Sequence, residues 1–298
     1  MAGLDPAIYE TVAGATVDDR VEPGHDDVSG VSARLSSAGG LRIVGIDLTQ
    51  PLSRRHKAAI DAAFIAHHVV VFPDQSLTRE RQFAFAAQFG DVEAHGEHRG
   101  ERKRRDVAHV LSNLDADGNP TVRLSAAANY HWHTDKPYHP APPLLTMLYA
   151  VEVPPPEAGY GGDTEFANMA LAYDALPSRL KERLAGLHVV FRPAFDPSRP
   201  AVDHPLVRTH PVNGRKSLYI GNHATHILGM PEPDGTALLR ELLEHATQRR
   251  FVYAHRWRVG DLVMWDNRCL LHRIVLGDGL RQYRRIMHRS VVKGPVPL

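Results

Sequence analysis

The sequence predicts a mostly β domain with flanking helices, an antiparallel barrel or jelly roll. Two observations predict it. The C-terminal third strings together short apolar runs parted by turn residues: LVRTH, SLYIG, RFVYAHRW, DLVMW, CLLHRI and YRRIMHRSVV. Segments of helical spacing gather near the start and on one flank, the arrangement of a barrel or jelly roll with helical buttresses. The 298 residues can bury a substantial core, and no repeat or second boundary divides them. We expect a polar arm over residues 1–40, partly ordered, and one domain over 41–298.

The elements follow in order. LRIVGIDL from Leu41 alternates as a strand does, SRRHKAAIDAAFIAHH has helical spacing, and VVVF is a short buried strand. LTRERQFAFAAQFG predicts a helix capped by Thr78 and ended by Gly90. PLLTMLYAVEVPP reads as a strand stopped by prolines, and EAGYGGD as a turn cluster. NMALAYDALPSRLKERLAGL predicts one or two helices and LHVVFR a strand. Residues 192–205, RPAFDPSRPAVDHP, lack apolar periodicity and are expected to be a loop or lid. ALLRELLEHATQ is a helix before the closing strands.

Composition narrows the function. The chain is 43% hydrophobic and 23% charged, with mean hydropathy −0.29 and a formal charge of +1. No global field therefore argues for nucleic acid or an anionic membrane. The basic run RGERKRR (99–105) is local and reads as a solvated loop. The single cysteine, Cys269, excludes an internal disulfide and a cysteine-based zinc site and fits a reducing cytoplasm. The first residues lack the basic-then-apolar pattern of a signal peptide, and no apolar run has the length to span a bilayer. We expect a cytoplasmic protein, a homo-oligomer (dimer or tetramer), acting on a small molecule rather than on nucleic acid or a membrane.

The chemistry concentrates in NYHWHTDKPYHP, residues 129–140. In an extended segment His133 and Asp135, two apart, project to one face and can reach one ion. The spacing alone is weak, because His25–Asp27 and His95–Glu97 repeat it. A third ligand must come from elsewhere, and His272 in WDNRCLLHR, following an apolar strand pair, is the best candidate. Two histidines and one carboxylate on one face leave open positions, as in non-haem Fe(II) oxygenases; the plain alternative is a hydrogen-bonded histidine at a barrel edge. Further on, Arg285, Met287 and Arg289 share a face if YRRIMHRSVV is a strand. Inward arginines require anions, because an unpaired buried charge is strongly disfavoured. A dicarboxylate cosubstrate and a second acid would meet that need; otherwise both point to water.

WHTD (132–135), GGDTEFANM (161–169), HPLVRTHPVNGRKSLYIG (204–221), GDLVMWDNRCLLHR (260–273) and RRIMHR (284–289) closely resemble the taurine dioxygenase / 2,4-dichlorophenoxyacetate dioxygenase family. The resemblance runs in consistent order over roughly residues 41–292. It implies a double-stranded β-helix, a cupin-like jelly roll, that uses Fe(II), 2-oxoglutarate and O2. It implies His133, Asp135 and His272 as iron ligands, Thr164 as a hydrogen bond to a 2-oxoglutarate carboxylate, and Arg285 as the salt bridge to its distal carboxylate. Arg289 matches the arginine that takes the substrate's acidic group, Asn129 a substrate-pocket asparagine, and His95 a histidine that contacts sulfonate in the taurine enzyme.

The implied reaction hydroxylates a small anionic organic acid, a sulfonate or an aryloxy or alkyl carboxylate, while 2-oxoglutarate becomes succinate and CO2. The product can fragment to an aldehyde or keto acid. Two departures stand out. The spacing from His272 to Arg285 is two residues longer than in the best-known members, so IVLGDGLRQY must absorb an insertion. The segment 238–273 looks like the herbicide-degrading branch, whereas His95 looks like the taurine branch. Other readings are a hydroxylase or desaturase of an amino-acid-like or natural-product acid, a zinc hydrolase with the same ligands, and a non-catalytic cupin-like acid-binding protein.

Overall fold

The computed structural model describes residues 32–94, 107–121, 129–155, 161–193, 198 and 200–297. In chain order its first strands are β1 (Ser32–Ser36), β2 (Gly39–Ile43), β3 (Val69–Phe72), β4 (His109–Ser112), β5 (Leu145–Glu152) and β6 (Thr164–Asn168). They are followed by β7 (His188–Phe191), β8 (Val202–Pro205), β9 (Val207–Thr209), β10 (Lys216–Leu218) and β11 (Ala224–Ile227). The last four are β12 (Val252–His255), β13 (Leu262–Asp266), β14 (Leu270–Ile274) and β15 (Ile286–Val292). The helices are α1 (Arg54–His67), α2 (Arg79–Ala86), α3 (Met169–Asp174), α4 (Ser178–Leu184), α5 (Glu232–Ala246) and α6 (Gly279–Gln282).

One large sheet runs β1-β2-β3-β13-β5-β15-β4, antiparallel except where β2 meets β3. Alternation in its central strands divides the side chains between two cores. Val70, Phe72, Met147, Tyr149, Leu262 and Met264 face outward and bury Ile60 and Phe64 of α1 and Phe85 of α2. A helix of α1's length is marginal alone, so this contact, with the Ser53 cap, holds it in place. Val69, Val71, Leu148, Ala150, Val263, Trp265 and Met287 face the barrel interior, where they meet Phe166 of β6. The smaller sheet β12-β6-β14 forms the opposite wall. Beyond it β11-β7-β8 and β9-β10 pack with α3 and α5 around a third core of Phe191, Leu218, Leu238 and Leu242. The jelly roll expected from the sequence is the observed fold.

Thr78 caps α2 by accepting from the Arg81 amide, and Gly90 ends the following helical turn. NMALAYDALPSRLKERLAGL forms two helices, because Pro177 interrupts the ladder between α3 and α4. The arm boundary drawn at residue 41 falls inside the hairpin β1–β2, in which Ser36 pairs with Gly39. Gly39 and Gly40, the first residues of β2, follow that turn with the positive φ that glycine permits, +133° and +88°. Within 192–205, the last four residues form β8 against β7 instead of loop. The span between His272 and Arg285 contains the short helix α6.

Candidate metal centre

The β14 backbone sets the site. His133 and His272 form an isolated antiparallel bridge, with N–O distances of 3.0 and 2.7 Å for the two reciprocal hydrogen bonds. Directly opposed residues share a face, so the imidazoles lie side by side, centroids 4.1 Å apart. Gly221 makes room for this bridge. Its φ is +140°, and a Cβ there would sit 3.3 Å from the Trp132 carbonyl and 3.4 Å from His133 Cα.

Asp135 completes the set. Its Oδ1 is 4.0 Å from His272 Nε2, and one ligand atom from each of His133, Asp135 and His272 lies within 4.8 Å of the others. His133 Nδ1–H donates to the His131 carbonyl at 2.8 Å, which leaves its Nε2 lone pair free. Burial keeps both imidazoles neutral: it lowers the pKa of His133 and brings that of His272 down to about 3. Burial pushes Asp135 upward, but His272, Arg289, His133 and the Thr146 hydroxyl outweigh it and hold the carboxyl at about 2. Two neutral imidazoles and a carboxylate are the donor set of a 2-His-1-carboxylate iron site. A second cluster, His68, Asp266 and Cys269, fits a cation poorly. Arg268 engages both oxygens of Asp266 at 2.8 and 2.7 Å, and burial keeps the Cys269 thiol protonated.

Thr164 opens β6, whose Phe166 pairs with His272 while Thr164 pairs with Ile274. Residues two apart share a face, so Thr164 and His272 look into the same space. Trp257 Nε1–H donates to Thr164 Oγ1 at 3.0 Å, so the threonine's own proton points elsewhere. Trp257 also lies 6.0 Å below the Arg285 guanidinium. Arg285 is buried, donates Nε–H to the Gly162 carbonyl at 3.2 Å, and leaves Nη2 with no partner among the described residues. Burial presses its pKa down to about 10, against Tyr130 and Asp163, which face it. A buried guanidinium with an unmet donor fits a ligand carboxylate.

Arg289 faces the triad, acting on Asp135, His133 and His272. Its Nε is buried without a partner among the described residues. It follows Arg285 by way of β15, pairing with Leu148, and Leu148 belongs to the interior core. Asn129, half-buried, stands in a helical turn with Tyr130 just before the metal loop. His95 lies outside the described residues, as does the run 99–105. His131 and His139 are exposed side chains, although the His131 carbonyl orients His133.

Sequence reasoning missed Trp257, Thr146, Asn267, Tyr130 and His223. His223 is buried, edge-on to Tyr138 at 5.1 Å, with Nδ1 unpartnered among the described residues and within the field of His133 and Asp135. The polar GNHATH, placed among strand-rich sequence, was the available signal.

A jelly roll that buries this triad beside two arginines with unmet donors fits a non-haem iron oxygenase that uses a carboxylate cosubstrate. The model of the taurine catabolism dioxygenase TauD, TfdA family matches residues 32–291, and the chain belongs to that family. It is 43% identical to the alpha-ketoglutarate-dependent 2,4-dichlorophenoxyacetate dioxygenase of Cupriavidus pinatubonensis, over 76% of this chain and 86% of the other. It is 34% identical to the (S)-phenoxypropionate/alpha-ketoglutarate-dioxygenase of Sphingobium herbicidovorans, over 88% and 94%. Among solved structures, AAD-2 in complex with Mn(II) and N-oxalylglycine superposes with TM-score 0.74 at 35% identity, covering 90% of this chain and 98% of that one. The chain is thus an Fe(II)- and 2-oxoglutarate-dependent dioxygenase with O2 as cosubstrate. No helix among the described residues is long and apolar enough to cross a membrane.

Proposed function

We propose that the enzyme hydroxylates aryloxyalkanoate-type carboxylic acids, with Arg289 gripping the acid group. One observation carries the proposal: a buried guanidinium Nε without a partner, facing the three ligand side chains. The two relatives above, named for phenoxy acids, support a carboxylate with an aryl ether over a sulfonate. In this reading His133, Asp135 and His272 hold Fe(II), while Thr164 and Arg285 hold 2-oxoglutarate. Bound together, Fe(II), 2-oxoglutarate and O2 supply the oxidation, giving succinate, CO2 and a hydroxylated substrate.

The chain's own groups position and exclude. The His131 carbonyl fixes the His133 tautomer. Trp257 turns the Thr164 proton toward the cosubstrate's carboxylate, and Arg285 Nη2 takes the carboxylate at the other end. Arg289 and Asn129 hold the substrate so that its ether-bearing carbon faces the triad; His95 is a candidate second contact. Hydroxylation at that carbon gives an unstable product that releases the phenol and leaves an aldehyde or keto acid. We include in the proposal a homo-oligomer, dimer or tetramer, acting in the cytoplasm; light scattering tests the assembly.

A screen of succinate formation tests the assignment across aryloxyalkanoates, sulfonates, alkyl sulfates and amino-acid derivatives. Aryloxyalkanoates should raise succinate release well above the substrate-free rate and yield a phenol. Stimulation by sulfonates alone would move the substrate to the other acid class.

A further inference from the structure

The motif around WDN supplies His272 to the site, yet Trp265 and Asn267 have no part in the scheme above. Their hydrogen bonds form a chain that ends on the metal-facing carboxylate. Trp265 Nε1–H donates to Asn267 Oδ1 at 3.1 Å. Asn267 Nδ2–H donates to Thr146 Oγ1 at 2.9 Å. The Thr146 hydroxyl in turn bonds Asp135 Oδ2. A parallel tie runs from the Thr134 hydroxyl to the Asn267 carbonyl at 2.9 Å. Thr146, Trp265 and Asn267 are all buried, and Thr146 and Trp265 are cross-strand neighbours on β5 and β13.

The chain has a direction. Indole N–H can only donate, so it fixes which end of the Asn267 amide faces Trp265. The amide's NH2 is thereby turned to Thr146, whose oxygen must accept. Thr146 then has one proton left, and the carboxylate is its only remaining acceptor in the chain. We infer that Trp265, Asn267 and Thr146 are positioning residues that cap Asp135 Oδ2, so that the carboxylate offers a single oxygen, Oδ1, to the metal. A carboxylate binding through both oxygens would take one of the positions needed by 2-oxoglutarate and O2. The inference rests on the reading of His133, Asp135 and His272 as the metal ligands.

Mn(II) binding to the metal-free enzyme, without 2-oxoglutarate, tests it. Electron paramagnetic resonance titration gives the affinity, and water-proton relaxation reports the water ligands of the bound ion. Thr146→Val keeps the shape and removes the donor; it should weaken Mn(II) binding by about 10- to 100-fold and lower the relaxivity of the bound ion as Oδ2 displaces a water. Thr146→Ser should restore both. Asn267→Asp tests the direction. With an acceptor at position 267 the Thr146 hydroxyl turns to it, so adding Thr146→Val in that background should change Mn(II) affinity less than twofold. The thermal midpoint of each metal-free variant separates loss of binding from loss of fold.

Thr146→Val with wild-type affinity and relaxivity would overturn the inference, as would Thr146→Ser behaving like Thr146→Val. A full Thr146→Val effect in the Asn267→Asp background would do the same. Asp135→Ala distinguishes failure of the underlying reading: Mn(II) binding by that variant at wild-type strength removes the ligand set, and the inference with it. Loss of binding in Asp135→Ala alongside an inert Thr146→Val removes the inference alone.

Discussion

His133 and His272 exchange two backbone hydrogen bonds, at 3.0 and 2.7 Å, and this single bridge sets their imidazole centroids 4.1 Å apart. For these two proposed ligands, geometry is a property of main chain as much as of side chain. Backbone changes near the bridge should therefore perturb the metal as strongly as changes of ligand.

Gly221→Ala tests this directly. The new Cβ meets the Trp132 carbonyl and His133 Cα at 3.3 and 3.4 Å, from a backbone with φ of +140°. We expect about 1–3 kcal/mol of destabilisation and weaker metal binding, although the residue is no ligand. Thermal melting with and without Mn(II) measures both, and an unchanged metal-induced shift in midpoint would contradict the argument.

Asp135→Ala should abolish turnover and leave the fold intact. The variant should also lose the visible charge-transfer band that 2-oxoglutarate produces with Fe(II) under anaerobic conditions. Full activity in the variant would remove Asp135 from the mechanism.

The two arginines should separate kinetically. Arg289→Ala should raise the KM for the acid substrate by about 10- to 100-fold, the cost of a lost charge-assisted hydrogen bond, with little change for 2-oxoglutarate. Arg285→Ala should do the reverse. Steady-state kinetics with each substrate varied in turn decides it, and an exchanged pattern would mean that their roles are swapped.

His68 predicts a pH dependence away from the metal. It closes α1 with φ of +63° and lies buried, Nδ1 3.3 Å from Cys269 Sγ. Burial lowers its pKa from 6.5 to about 4. The unfolded chain then binds this proton more readily, so the contribution is full above pH 6.5 and is lost as pH falls toward 4. The loss is about 3 kcal/mol or less. His68→Asn, which tolerates the same backbone conformation, should flatten the fall in melting midpoint between pH 7 and 5; an unaltered slope would assign it to other groups.

The strands were legible because their apolar runs are bounded by turn residues, and the Thr78 cap because its chemistry is local. The sequence motifs around 133 and 272 single out the three side chains that the fold brings within 4.8 Å of one another, and those around 164 and 285 single out two residues proposed to hold the cosubstrate. What escaped was whatever depended on long-range pairing. Thr146 looks like one more β-branched residue in LLTMLYAV, and only its register opposite Trp265 turns it toward Asp135. Trp257 reads as core, and its indole N–H acquires meaning only once β6 is beside β12. Part of the β1–β2 hairpin falls within the stretch expected to be an arm, because its residues are polar and turn-rich and its pairing is not visible in the sequence. The expectation for His95 falls outside the described residues.

The proposed ligands are at 133, 135 and 272, on segments that meet through one isolated bridge. A bound ion therefore acts as a clasp across a long stretch of chain. It favours the folded form by RT ln(1 + [M]/Kd), and the closure of that loop adds to what it secures. Folding equilibrium and iron supply thus become one linked variable for this enzyme, so iron scarcity would be felt as instability as well as lost turnover.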